Sequence, residues 1–542
     1  MKKKLVSALL AASMIVMSVP AYGSAESGSD FIGPFEKYPE QVDVNISGGY
    51  DPNDVWLDGD TAEDNPVTRY LTEKTNIKLH HIWSVSNQDY NQKLSLAIAS
   101  GDLPDVFSVN DRAILQELID NDLIEDLTGT YESTAADYVK DMYESYGEDA
   151  FSTGVYDGKL LAIPDLCYGY QFNFTWIRKD WLDKVGLDIP ETKEDLETAL
   201  QAFVDNKLGG ENTIGMVVNA DNMAGVYNNV FGIDPWFNHF GSYPASWMVD
   251  EDGTVKYGSV QPETKEALAY IADLYQKGLV DKEIGTRTND INSELLVSGQ
   301  CGAFFGTWYM ADWPCSKMYD NDPTAEWVPV LGPVAEDGKF HTGKQNIHMN
   351  WVVVRKGYEH PEVPWQLINY QWLRGADEEL EKITDEYHDR GGSNGSFGPT
   401  VMVQYNDAIP RDGASLMKAL ETGDTSELVA DPKMFYPDCK RYVDGDVDTD
   451  SWRDYMNRVV GSSVAVNPSH ELVIQDIYYP LTTPTMSLSW TNMKDLETQT
   501  FLKIIRGDQA IDTFDEFVSQ WNAMGGEQIT KEVNEAYQAE QN

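Results

Sequence analysis

Between residues 42 and 120 the apolar residues switch repeatedly between alternate positions and helical spacing. That switching restricts the chain to layers of sheet and helix. Val42, Val44 and Ile46 alternate with polar neighbours in 42-VDVNIS-47, which predicts a half-buried strand closed by Gly48 and Gly49. Ile77, Leu79, His81 and Trp83 repeat the pattern. Leu94, Ala97 and Ile98 then follow helical spacing until Gly101 and Pro104 stop the helix. A third short strand, 105-DVFSV-109, leads into helix 112-RAILQELID-120. Further helices are predicted from Thr192, with Asp195 in a capping-box position, and from Pro262 to Gly278. Strands 214-IGMVV-218 and 351-WVVV-354 interleave with these, and the end of the chain reads as helical.

This alternation predicts an α/β architecture, in which ligands sit beyond the carboxyl ends of strands. Three stretches occupy such positions. The segment 50-YDPNDVWLD-58 follows the first strand, and Asn110 and Asp111 follow the third. In 301-CGAFFGTWYMADW-313 a strand runs out at Gly306, and Trp308, Tyr309 and Trp313 come next with Asp312 among them.

At 542 residues the chain is too long for one core, so two or more lobes are expected. Forty basic residues against 89 acidic ones give a net charge of -49. That balance repels the phosphates of nucleic acid and of anionic lipid, and it reads as a solubility feature. Lys2 to Lys4, the apolar run Leu5 to Val19 and the small residues of 18-SVPAYGSA-25 form an export signal over 1–25. The protein is therefore expected to work outside the cytoplasmic membrane. Cys167, Cys301, Cys315 and Cys439 leave three full pairings open. They lack the spacing of a zinc site, and buried free thiols are expected.

Catalytic motifs are mostly missing from this sequence. Gly338, Gly343 and Lys344 fit a phosphate loop, but Gln345 stands where a magnesium-holding hydroxyl belongs. The acidic run 444-DGDVDTD-450 lacks the glycine and the twelfth-position acid of a calcium loop. It reads as a solvated loop, and no metal or cofactor is expected. The rings carry more information. Most of the 15 Trp, 29 Tyr and 18 Phe must be core. Some keep polar company, however. Trp56 follows Asp51, Asn53 and Asp54, and Tyr168 and Tyr170 precede Gln171. Trp236 sits in 233-IDPWFNHFG-241, with Trp247 a few residues on. Flat rings stack on the C–H faces of sugars while nearby amides and carboxylates take the hydroxyls. For Trp56 and Trp308 a binding role is expected over core packing.

From about residue 40 onward the chain resembles the extracellular solute-binding proteins of ABC importers, in particular the carbohydrate-binding family that includes maltose-binding protein. Its large Gram-positive lipoprotein-type members are the nearest likeness. The resemblance is carried by 94-LSLAIASGDLPDVF-107, 158-GKLLAIPDLCYGYQFNFTWIRKDWLDKVGLDIPETKEDL-196, 299-GQCGAFFGTWYMADW-313 and 521-WNAMGGEQITKEVNEAY-537, in the family's order. It implies a two-lobed type 2 periplasmic-binding-protein fold with crossover hinge segments. Lobe one would comprise 30–165 plus 350–480, and lobe two 166–349 plus 485–542. It further implies stacking roles for Trp308 and Trp490, and a polar loop at Tyr50, Asp51, Asn53 and Asp54. Gln171 falls where some relatives carry a crossover acid. Tyr22 stands where the lipid-anchored cysteine of such proteins would be, so no lipid anchor is expected.

The function expected is capture of an oligosaccharide by a monomer and its delivery to ABC permease subunits, without catalysis. A secreted glycoside hydrolase is the first alternative. A binder of another solute, such as a peptide, is the second.

Overall fold

The computed structural model describes residues 31–541 except 52, 168, 220–229, 374–376, 394–396 and 465–469. The export signal and Tyr168 thus lie outside the described residues.

Two sheets organise the chain, each with its own core. The first has five strands in the order Ile77–Ser86, Val42–Tyr50, Val106–Val109, Trp351–Val354, Ile163–Pro164. Its first three strands run parallel, and Trp351–Val354 pairs antiparallel to both of its neighbours. Successive side chains of a strand point to opposite faces, and both faces of this sheet are covered. Val352 and Val354 enter a core with Val44, Ile46, Leu71 and Trp365. Trp351 and Val353 enter another with Phe107, Leu94 and Leu115. This is why 351-WVVV-354 reads as a continuous apolar run rather than an alternation.

The second sheet has the order Trp327–Val330, Phe174–Arg178, Cys301–Gly306, Ile214–Met216. Beside it, Val255–Tyr257, Trp247–Val249 and Ile477–Tyr478 form a small antiparallel sheet. The C-terminal helices Met486–Arg506, Thr513–Trp521 and Glu527–Glu540 share a core with both.

Most predicted elements occur where the spacing put them. Helix Tyr90–Ser100 ends at Gly101, whose φ of 78° requires the left-handed region that glycine enters freely. Helix Lys193–Asp205 carries the predicted capping box between Thr192 and Asp195. All four cysteines are buried and unpaired.

The expected assignment of 350–480 to lobe one needs correction. Helices Ala408–Thr422, Ala430–Asp444 and Thr449–Tyr455 belong to a segment that packs on the second sheet instead. Ile409, Trp452 and Met456 join the core of Phe174 and Phe304. Trp452 stacks on Tyr319, with ring centroids 4.5 Å apart and planes 11° from parallel. The hydrophobic surface these helices need to cover lies there, not on the first sheet. The acidic run between them is neutralised locally, since Arg441 donates to both Asp446 and Asp448.

Candidate functional site: a cleft between the two sheets

A cleft of about 650 Å³ lies between the two sheet systems. From the first side it is walled by Asn110, Arg112, Thr153 and Trp351, and from the second by Trp247, Tyr478 and Trp490. Asn110 and Arg112 enter because strand Val106–Val109 stops just before them and helix Arg112–Asp120 begins. That is the strand-end position expected of an α/β site.

The aromatic wall is built from distant parts of the chain. Trp247 is on the small sheet and Trp490 is in the first turns of helix Met486–Arg506. Their rings stack with centroids 6.1 Å apart and planes 18° from parallel, and Tyr257 packs edge-on against Trp490 at 5.3 Å. On the opposite side Trp351 Nε1 donates to Thr153 Oγ1 at 2.9 Å, and that oxygen lies 2.8 Å from His348 Nδ1. Burial, followed by the charge of Arg112, pushes His348 down to about 4 from its ordinary value, so the ring is neutral at pH 7.

Charged groups bridge the cleft. Arg112 donates to the Tyr479 carbonyl and lies 3.8 Å from Glu540 Oε1, which also accepts from the Tyr478 hydroxyl at 2.8 Å. Lys344 Nζ reaches Asp149 at 2.9 Å and Asp476 at 3.6 Å. Burial alone would lower the Lys344 ammonium, but these carboxylates outweigh it and raise it. The rejected phosphate loop is accounted for here. Phe340–Gly343 is a strand paired with Leu472–Gln475, and Lys344 is held by carboxylates.

A second cavity of about 340 Å³ adjoins the first, and Asn110 lines both. Tyr50, Asp54 and Trp56 line it together with Tyr90 and Asn350. Asp51 shapes the loop rather than the cavity, since its Oδ1 accepts from the backbone and side chain of Asn53 at 2.8 and 2.9 Å. Residues 53–58 are tied down by Val55 N donating to Ser393 Oγ and by Leu57 N donating to the Tyr387 hydroxyl.

The other sequence candidates lie elsewhere. Asp111 caps helix Arg112–Asp120 by accepting from Ala113 N and Ile114 N. Trp236 is fully buried between Tyr270 and Phe305. Trp308 is 6% exposed, and the Arg458 guanidinium sits 5.0 Å from its ring. It lines a pocket of only about 20 Å³ rather than the cleft. Tyr309 packs edge-on against Trp308, and Asp312 lies 3.9 Å from Arg453. Tyr170 packs on the second core, and Gln171 lines neither cavity.

Sequence reasoning missed Arg112, Lys344, His348, Trp351 and the pair Tyr478–Tyr479. The paired tyrosines immediately before Pro480 were a usable signal, because a crossover segment passes the floor of any cleft between two lobes.

Residues 56–371, more than half of the chain, match the family model described as bacterial extracellular solute-binding protein. The chain belongs to that family. It is 22% identical over 493 residues to lipoprotein LipO of Bacillus subtilis, covering 88% of this chain and 90% of LipO. It is 24% identical over 351 residues to the fructooligosaccharide ABC transporter substrate-binding protein FusA of Streptococcus pneumoniae, covering 58% and 61%. The crystal structure of an extracellular solute-binding protein from Bifidobacterium longum subsp. infantis superposes with a TM-score of 0.64 at 16% identity. That match covers 92% of this chain and 98% of the other. The fold is thus the two-lobed type 2 periplasmic-binding-protein fold.

Proposed function

We propose that this protein captures an oligosaccharide in the cleft and delivers it unchanged to the permease subunits of an ABC importer. One observation carries the reading. A stacked Trp247–Trp490 wall faces Asn110, Thr153 and Trp351 across a cleft of about 650 Å³. Such a site offers flat apolar faces for sugar rings and a few polar groups to orient hydroxyls. The name of FusA, a fructooligosaccharide-binding relative, agrees with this.

The two lobes are proposed to close on the ligand as a monomer, with the first sheet in one lobe and the second sheet, the small sheet and residues 408–464 in the other. Closure follows from better ligand contacts in the closed state. Arg112 and Lys344 already span the cleft and set how far it opens. The protein is proposed to act outside the cell without a lipid anchor, since Tyr22 supplies no thiol for a thioether.

A hydrolase would need two carboxyl groups facing the scissile bond. Asp149 and Asp476 are instead held by Lys344, and Glu540 accepts from Tyr478. A thermal-denaturation panel of oligosaccharides and peptides tests the proposal. A cognate sugar at about 100 times its dissociation constant should add about 2.7 kcal/mol of stability. Stabilisation by peptides alone would refute the carbohydrate reading, and cleavage of a reducing-end-labelled sugar would refute the binder.

A further inference from the structure

We infer that the oligosaccharide carries no carboxylate, and that the cleft rejects uronate-containing sugars. This rests on the carbohydrate reading above and deepens it. Recognising a sugar carboxylate requires a cation left free to pair with it. Among the described residues, Arg112 and Lys344 are the permanent cations lining the cleft, and both are already engaged. Lys344 lies between Asp149 and Asp476, and Arg112 holds the Tyr479 carbonyl beside Glu540, while its Nε, without a partner among the described residues, is itself buried. His348 is 3% exposed and stays neutral. The adjoining cavity has neither Lys nor Arg among its lining residues, and it contains Asp54. A groove sharing Val249 and Asp476 with the cleft is edged by Asp250, Glu251 and Asp252. A uronate would therefore have to displace a protein carboxylate from its cation beside an acidic groove, in a chain of charge -49.

Three carboxylates, Asp149, Asp476 and Glu540, share these two cations, so the cleft has no surplus positive charge. Neutral groups also line the cleft. They include the indoles and Asn110. Amides and rings of this kind suit hydroxyl-bearing, uncharged rings.

Calorimetry on the full mature protein tests this, using pools of neutral oligosaccharides and matched pools of oligogalacturonates and oligomannuronates. Neutral sugars should bind, with an affinity insensitive to salt. Uronate oligomers should bind roughly 100-fold more weakly or not at all. Equal or tighter binding of a uronate pool overturns the inference while leaving the carbohydrate reading intact. Binding of neither pool overturns both. The variant Asp149→Asn/Asp476→Asn frees Lys344 at two half-exposed positions. It should gain salt-sensitive uronate binding, and a folded variant with no gain would show that charge pairing is not what excludes acidic sugars.

Discussion

Trp247 and Trp490 stack 18° from parallel at the cleft, although one belongs to a three-stranded sheet and the other to a helix near the chain's end. Trp247 is 4% exposed, so it backs the wall, while Trp490 is the more accessible ring. Trp490→Ala should therefore weaken ligand binding by about 30-fold, as loss of a binding hot spot of at least 2 kcal/mol does. Calorimetric titration of a cognate sugar measures it. An unchanged affinity would remove this wall from the site.

Trp308→Ala should do the reverse. The ring is buried under Arg458, and the neighbouring Trp308 carbonyl is so close to Gly461 that a Cβ there would meet it at 2.2 Å. Truncating a buried Trp costs about 3–5 kcal/mol of stability, with sugar affinity expected to stay within a few-fold. Urea unfolding of the ligand-free protein and titration of the folded variant separate the two effects. Trp236→Ala should behave alike.

Arg112→Ala removes a contact that joins the first sheet's side of the cleft to Tyr479 and Glu540 on the other. The ligand-free protein should become more open, seen as a larger radius of gyration in small-angle scattering, with a smaller difference once sugar is bound. If ligand-free wild type and variant scatter identically, this bridge does not control opening.

His348 ties stability to pH. Its pKa is about 4 folded, against the ordinary 6.5 of the unfolded chain. Between these values the unfolded chain binds the extra proton, so this contribution is complete above pH 6.5 and lost as pH falls toward 4. The loss amounts to roughly 3 kcal/mol at most. Buried Asp234, raised to about 7, works in the opposite direction over an overlapping window. The effect is therefore read as a difference between wild type and His348→Gln. The variant should lose less stability than wild type on acidification from pH 6.5 to 4, as measured by denaturant melts at each pH.

The N-terminus offers a separate check. Mature protein recovered from culture should carry no lipid on its first residue, whereas Tyr22→Cys should yield a lipid-anchored fraction. Mass spectrometry of both forms reports the outcome.

The strands at 42, 77, 105 and 351 and the helices from Thr192 and Pro262 were legible from residues alone, because periods of two and 3.6 are local properties of the backbone. The capping box of Thr192 and the stop at Gly101 are local too. Asn110, singled out by the strand-end rule, lines the cleft, and Tyr50, Asp54 and Trp56 line the adjoining cavity. Which tryptophan stays accessible could not be read in the same way. Trp308 does follow a strand end, as its sequence position predicts, yet residues 408–464 fold over it and Arg458 covers its ring. The partners that make Lys344 and Arg112 part of the site lie far away in the chain, at Asp149, Asp476, Tyr479 and Glu540. Local pattern determines which element a residue joins; burial and charge pairing depend on what the rest of the chain brings against it, and only the packed structure settles that.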